Sequence, residues 1–296
     1  MSLLAQLIAN GIIAGAIYAL VALGYTMVYG ILKFINFAHG EILMMGAYFA
    51  YTGVHVFALP LWMAAVIAMA LAALLGIIIE RVAYRPLRFS GKIAPLVTAV
   101  AMSLLLQGVA LIIWGGDIRT LRTGNVTVGR EILGAMVTNH QLVIIVTTAI
   151  VLAFLFLFLK YTKMGKAMRA VTDNLSLALT LGINVDRVIM FTFALGSALA
   201  ALAGVLIGVE QTIQPTMGVA LGIAAFSAAV VGGIGNIHGA VLGAFVIGLA
   251  ENIGIWFIPS GYKPAISFLI LIIMLIFKPT GILGESKETD VRKNEA

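Results

Sequence analysis

The sequence predicts an all-α fold: a polytopic transmembrane helical bundle of about eight or nine spans, with broken or re-entrant segments. Three observations carry this. Of 296 residues, 62% are hydrophobic and only 10% charged, where a soluble domain carries about 25% charged residues; the mean hydropathy is +1.11. Apolar runs near the membrane-spanning length of about 20 residues recur along the chain. The lysines and arginines cluster in the short connectors between those runs. A soluble domain is thereby excluded, and the net charge of +6 suits anionic headgroups and cytoplasmic loops, not nucleic acid. With no cysteine, disulfides and thiolate metal sites are excluded too.

In chain order the candidate spans are 4–29, 42–57, 61–79, 96–114, 142–159, 188–209, 219–231, 240–257 and 265–277. The first has no charge before Lys33. It lacks the positive region that precedes the apolar stretch of a signal peptide, so it reads as a retained helix. The runs 42–57 and 219–231 are short, which fits tilted, half-spanning or re-entrant helices. One connector carries Arg81, Arg85, Arg88 and Lys92; another carries Lys160, Lys163, Lys166, Arg169 and Arg187. Two spans separate them, so both lie on one side, the cytoplasm by the positive-inside rule. The segment 115–141 is then external despite Arg119, Arg122 and Arg130. Nine spans put the N-terminus outside and eight put it inside. Residues 1–284 form one membrane domain, and the mixed-charge tail 285–296, after Pro279, is expected to be disordered. Gly196, Gly204 and Gly208 share a helical face, a spacing that permits close helix approach.

The connector 160–187, KYTKMGKAMRAVTDNLSLALTLGINVDR, is far longer than a turn between neighbouring helices needs. Gly165 is expected to break the preceding helix. Met168, Val171, Leu175, Ala178 and Leu179 then recur at three- and four-residue steps. Asp173 and Asn174 interrupt the middle, and Gly182 suits a left-handed helix end. The pattern predicts one or two short amphipathic helices on the cytoplasmic face, resting on lipid or seated in a groove of a soluble partner.

Three stretches occur in order: GYTMVYGILKFINFAHGEILMMGAY (24–48), GKAMRAVTDNLSLALTLGIN (165–184) and AFSAAVVGGIGNIHGAVLGAFVIGLAEN (225–252). Together they resemble the permease subunits of bacterial branched-chain amino acid ATP-binding-cassette (ABC) importers, in particular the permease bearing NFAHGE. The resemblance implies a machine of several subunits in the bacterial inner membrane. An external substrate-binding protein hands an amino acid to two permeases, this chain and a sister, while two cytoplasmic ATPases hydrolyse ATP with Mg. It places the ATPase-coupling element in the 160–187 loop, at Gly165, Arg169, Asp173, Asn174, Ala178 and Gly182. Urea and short-chain amide importers share the permease pattern, so the substrate class stays open between these and Leu, Ile or Val. The chain has no GxxxxGK[ST] phosphate loop, so it is expected to be a non-enzymatic transport subunit carrying no cofactor of its own.

Asn36, His39 and Glu41 stand between two apolar runs, where Gly30, Lys33, Asn36 and Gly40 discourage a continuous helix. His39 and Glu41, two residues apart, face different sides of a helix and form neither a catalytic nor a metal pair. They cap and turn the chain, with Glu41 favourably near a helix N-terminus, or they shape a cytoplasmic gate. The stretch from Asn236 to Gly239, with His238, has a similar cast and suggests a distant repeat. Glu251, beside Asn252 and inside a span, is expected to face the bundle interior, a subunit contact or the interface. Gln107 is a further pathway candidate. An ion-coupled secondary transporter calls for acidic or histidine residues deep in several spans, and these are few and near the ends. An intramembrane enzyme is disfavoured by four histidines without HExxH or GxSxG.

Overall fold

The computed structural model describes residues 3–88, 90–91, 93–121 and 129–284; Lys92, Arg122 and the tail 285–296 lie outside the described residues. All nine apolar runs are helices: α1 (Leu3–Leu32), α2 (His39–His55), α3 (Leu61–Ile79), α4 (Ile93–Trp114), α5 (Asn139–Tyr161), then, after the short helices α6 (Lys163–Asp173) and α7 (Leu175–Thr180), α8 (Val185–Glu210), α9 (Met217–Gly232), α10 (Ile237–Gly254) and α11 (Lys263–Phe277). Among the described residues, seven helical stretches are long and apolar enough to cross a membrane, α3 and α11 counted with the helical turns adjoining them. The exceptions are α2 and α9, with 17 and 16 residues. A small antiparallel hairpin, β1 (Arg130–Ile132) with β2 (Ala135–Val137), precedes α5.

The contacts at each end of α1 and α8 fix the orientation. Near the start of α1, the Gln6 side chain exchanges hydrogen bonds with the backbone of Met136 in the hairpin (2.8 and 3.2 Å). Near its other end, Gly30 lies against Thr172 of α6. The N-terminal end of α1 is therefore on the side opposite the basic connectors, which is external by the positive-inside rule. This selects nine membrane helices over eight. Helix α8 runs the other way. Asp186 at its start pairs with Arg85 (2.8 Å) and Arg88 (2.5 Å), and Glu210 at its end accepts from Gln141 at the start of α5 (2.8 Å).

Two halves of the chain repeat this plan in opposite senses. Each long helix, α1 or α8, is followed by a six-residue interruption (33–38 or 211–216) and then by a short helix, α2 or α9. The packing is reciprocal: α1 lies on α10 as α8 lies on α3, and α2 packs on α3 and α8 as α9 packs on α10 and α1. Across the axis between the halves α1 meets α8 and α2 meets α9. This is a pseudo-two-fold relation in the membrane plane, the inverted repeat of many transporters. The expected repeat is therefore corrected. The counterpart of 36–40 is the segment entering α9, and Asn236–Gly239 begins α10 instead.

Small residues make the halves fit. Gly24 and Gly196 meet where α1 crosses α8, Gly248 lies against the backbone of Gly11 and Gly15, and Gly204 lies on the backbone of Leu43 and Ala47. Gly196 and Gly204 thus serve close packing inside one bundle. Helix α4 and helix α11, matched by the pseudo-symmetry, have 17% and 11% of their spanning stretch buried, against 72% for α1 and α8. The core is therefore α1, α2, α8, α9 and α10, with α4 and α11 on its flanks.

Candidate functional site

The interruption 33–38 is held by its own residues. The chain leaves α1 through Lys33 in a left-handed conformation (φ 57°), and Asn36 accepts from the Ala38 backbone (3.1 Å) and from the Tyr84 hydroxyl (2.5 Å). Asn36 rather than His39 or Glu41 therefore makes the turn, an Asx-type local bond. His39, the first residue of α2, is buried edge-on to Tyr25 with ring centroids 4.8 Å apart. Its imidazole occupies the niche left where Gly24 and Gly196 lack side chains.

Glu41 points elsewhere, as its two-residue offset from His39 requires. It is 1% exposed, and its Oε1 accepts from Gln107 Nε2 (2.8 Å) and Ser103 Oγ (3.2 Å), midway along α4. Its Oε2 lies against Gly218 in the first turn of α9. Gly40 in turn approaches the Gly218 carbonyl and the Gly222 Cα. The N-termini of the two short helices thus meet at membrane depth, with one carboxylate between them. Two positive helix ends face that charge, which offsets part of its cost. Sequence reasoning singled out Glu41 and Gln107 separately; their contact and the roles of Ser103, Tyr84 and Gly218 were not anticipated. The matched spacing of Gly30 and Gly40 with Gly208 and Gly218, ten residues in each case, is the sequence signal that identifies α9 as the counterpart, and it was passed over for the likeness to Asn236–Gly239.

Asn236 and His238 belong to a different place, at the cytoplasmic ends of the helices. Asn236 caps α10 by accepting from the Gly239 backbone (3.1 Å), and its amide donates to the Leu283 carbonyl (2.8 Å). His238 is exposed and stacked on Phe156 (4.8 Å, 13°).

Glu251 lies near the external end of α10 and is 2% exposed. It accepts from the Tyr18 hydroxyl (2.7 Å) and from Ser267. It stands on the wall of a cavity of about 560 Å³ bounded by α1, α5, α8, α9, α10 and α11.

On the cytoplasmic side the long connector folds as the periodicity suggests, with one shift. The helix break falls at Thr162, whose hydroxyl accepts from the Gly165 backbone (3.0 Å). Gly165 is inside α6, tight against the backbone of Phe158 and Leu159. Asn174 ends α6 and caps α7 through the Leu177 backbone (3.0 Å). Gly182 (φ 77°) closes α7 as a paired-bond left-handed cap, with Gly182 N–H on Leu179 O and Ile183 N–H on Ala178 O, both 3.0 Å. Met168, Val171 and Ala178 are buried against the bundle, whereas Leu175 and Leu179, expected on the same stripe, face outward with Leu177 and Leu181. Arg169, Asp173, Asn174 and Gly182 are exposed beside them. The connector thus presents four leucines in a ring of polar groups, the composition of a docking surface.

At the root of this surface, Arg88 bridges Asp186 and the buried Glu80, while Arg85 also holds Asp186. The group fastens the end of α3 to the start of α8. Glu80 and Asp186 were not singled out from the sequence.

Comparison with known proteins places the chain in a family. The family model described as branched-chain amino acid transport system / permease component matches residues 7–277. The chain is 42% identical to the high-affinity branched-chain amino acid transport system permease protein BraD of Pseudomonas aeruginosa, over 94% of this chain and 95% of that one. It is 42% identical to the permease protein LivH of the same description from Escherichia coli, over 93% and 94%. Among solved structures, PsaBC from Streptococcus pneumoniae in complex with Fab shares the fold, with a TM-score of 0.52 at 13% identity over 95% of this chain and 93% of that one. The chain belongs to the branched-chain amino acid transport system permease family.

Proposed function

We propose that this chain is one permease of an ABC importer that carries leucine, isoleucine and valine across the bacterial inner membrane. A sister permease completes the pathway, an external binding protein delivers the amino acid, and two cytoplasmic ATPases, holding ATP and Mg, drive the cycle. The single observation that carries this reading is the 42% identity, across nearly the whole chain, to permeases named for branched-chain amino acids. The exposed leucines of α7 supply the matching surface: an apolar, polar-rimmed helix that leads directly into α8, whose start the Arg88 group fastens to the end of α3, suits a groove on an ATPase. The chain itself contributes no hydrolysis, since it has no phosphate-binding loop.

The test is reconstitution. The chain is purified from native membranes in mild detergent, its partners are identified by mass spectrometry, and the complex is placed in liposomes with its binding protein. ATP-dependent uptake of radiolabelled leucine and valine is the expected result. Recovery of the chain without ATPases, or uptake of urea or acetamide in place of leucine, overturns the proposal.

A further inference from the structure

Three charged residues line the external cavity, Glu210, Glu251 and Lys263; Glu210 accepts from Gln141, and among the described residues no ion pair joins Glu251 or Lys263 to each other or to any other charged side chain. Glu251 is buried, and its two oxygens accept only from Tyr18 and Ser267 hydroxyls. Among the described residues no Lys or Arg nitrogen lies within 4.0 Å of it. Two hydroxyls orient a carboxylate without neutralising it, and an uncompensated buried charge is costly. Lys263, on the neighbouring helix α11, lines the same cavity; its Nζ donates to Asn252 Oδ1 (3.0 Å) and, among the described residues, to no carboxylate. The two are within coulombic reach but do not pair. Ile13, Ile17, Ile207 and Leu221 form an aliphatic wall beside them.

We propose that this cavity binds an aliphatic α-amino acid as its zwitterion within the single subunit, with the ammonium group on Glu251, the carboxylate on Lys263 and the side chain against the Ile13–Ile17–Leu221 wall. A volume of about 560 Å³ admits such a molecule with room to spare, and the lining sets an aliphatic wall beside fixed polar and charged groups, a combination that orients a small amphiphilic molecule. An acyl chain gains nothing from two opposite charges. A urea molecule gains nothing from the aliphatic wall. Leu221 belongs to α9, whose first turn lies on Glu41, so the cavity stands above the junction of the two short helices and one helix links them. The proposal rests on the importer reading above and assigns the residues that hold its substrate.

The test uses the complete importer in liposomes, with leucine or valine supplied on saturating amounts of loaded binding protein so that differences arise in the permease. In Glu251→Gln the ammonium loses its charged partner, and uptake of both amino acids is expected to fall about tenfold while partners co-purify normally. Ala220→Leu narrows the cavity from an exposed position on its wall, and is expected to lower the leucine-to-valine uptake ratio about threefold or more. That ratio decides the matter if Glu251→Gln does not assemble. An unchanged ratio in Ala220→Leu, or wild-type uptake in an assembled Glu251→Gln complex, overturns the site and leaves the cavity to lipid headgroups or water. Absence of leucine and valine uptake by the wild-type complex overturns instead the importer reading on which the site rests.

Discussion

At the scale of single residues, the charges of this chain are placed by what each must neutralise. Glu41 is tolerated at membrane depth because Gln107, Ser103 and the N-terminal turn of α9 surround it. Glu80, 2% exposed, is tolerated because Arg88 reaches it. Arg88 is itself largely covered, with 11% of its side chain exposed, whereas Arg85 and Asp186 are each 53% exposed. The Arg88–Glu80 contact is therefore the one that matters for stability, and the Arg85–Asp186 pair, open to solvent, contributes little. Removing Arg88 leaves a buried carboxylate without a cation, which costs about 3 kcal/mol or more. Arg88→Ala is expected to lower the thermal unfolding midpoint of the purified chain in detergent well below that of Arg85→Ala, measured side by side. Equal midpoints for the two variants contradict the assignment.

At the scale of elements, the cytoplasmic connector shows how much a sequence reveals about local structure. The break at Asp173 and Asn174 and the left-handed Gly182 were legible, because each depends on the intrinsic preferences of one or two residues; the cap that Asn174 gives α7 is seen only in the structure. The direction of the leucines was not. Leu175 and Leu179 fit the same periodic stripe as Ala178, but α7 is only six residues long and just one of its faces meets the bundle. The depth of α2 was half legible: the residues that break α1 are local, while its meeting with α9 pairs Gly40 with a glycine far along the chain. The mistaken pairing with Asn236–Gly239 came from matching residue types where the fold matches position relative to the long helices. If the outward leucines form the ATPase surface, a paired Leu177→Asp, Leu181→Asp variant is expected to insert normally yet recover at most about one tenth of the ATPase, since docking would bury two unpaired carboxylates in an apolar contact. Gly182→Val, which forces a β-branched residue to φ 77°, is expected to produce the same loss by unseating α7. Quantitative immunoblotting of the co-purified ATPase reads both, and full recovery in either variant contradicts the surface or the cap respectively.

At the scale of the whole molecule, the inverted relation between the halves decides where the ends and loops lie, and it makes a demand that composition alone does not. The chain that enters α1 must be external and the chain that leaves α11 cytoplasmic, because α1 and α8 run in opposite directions and each is followed by a helix that begins at membrane depth. The Lys and Arg count supports this apart from Arg119, Arg130 and Lys263, which stand on the external side. The structure accounts for Arg119, whose backbone bridges Ile213 (2.9 and 2.8 Å) and whose guanidinium donates to the Trp114 carbonyl (3.2 Å), so it ties the external end of α4 to the interruption before α9. A charge held in a structural bridge does not argue about sidedness as a free loop charge does. The natural absence of cysteine makes the arrangement directly measurable with single-cysteine variants at exposed positions. Leu4→Cys and Leu133→Cys, 46% and 97% exposed, lie at the N-terminal end and in the hairpin; Leu181→Cys, 76% exposed, lies beside the leucine surface. A membrane-impermeant maleimide added to intact spheroplasts is expected to modify the first two and to reach the third only after permeabilisation. Labelling of Leu133→Cys without Leu4→Cys, in unfolded membranes equally reactive, means an even number of spans and removes the pseudo-two-fold axis, because no inverted repeat leaves both long helices running the same way.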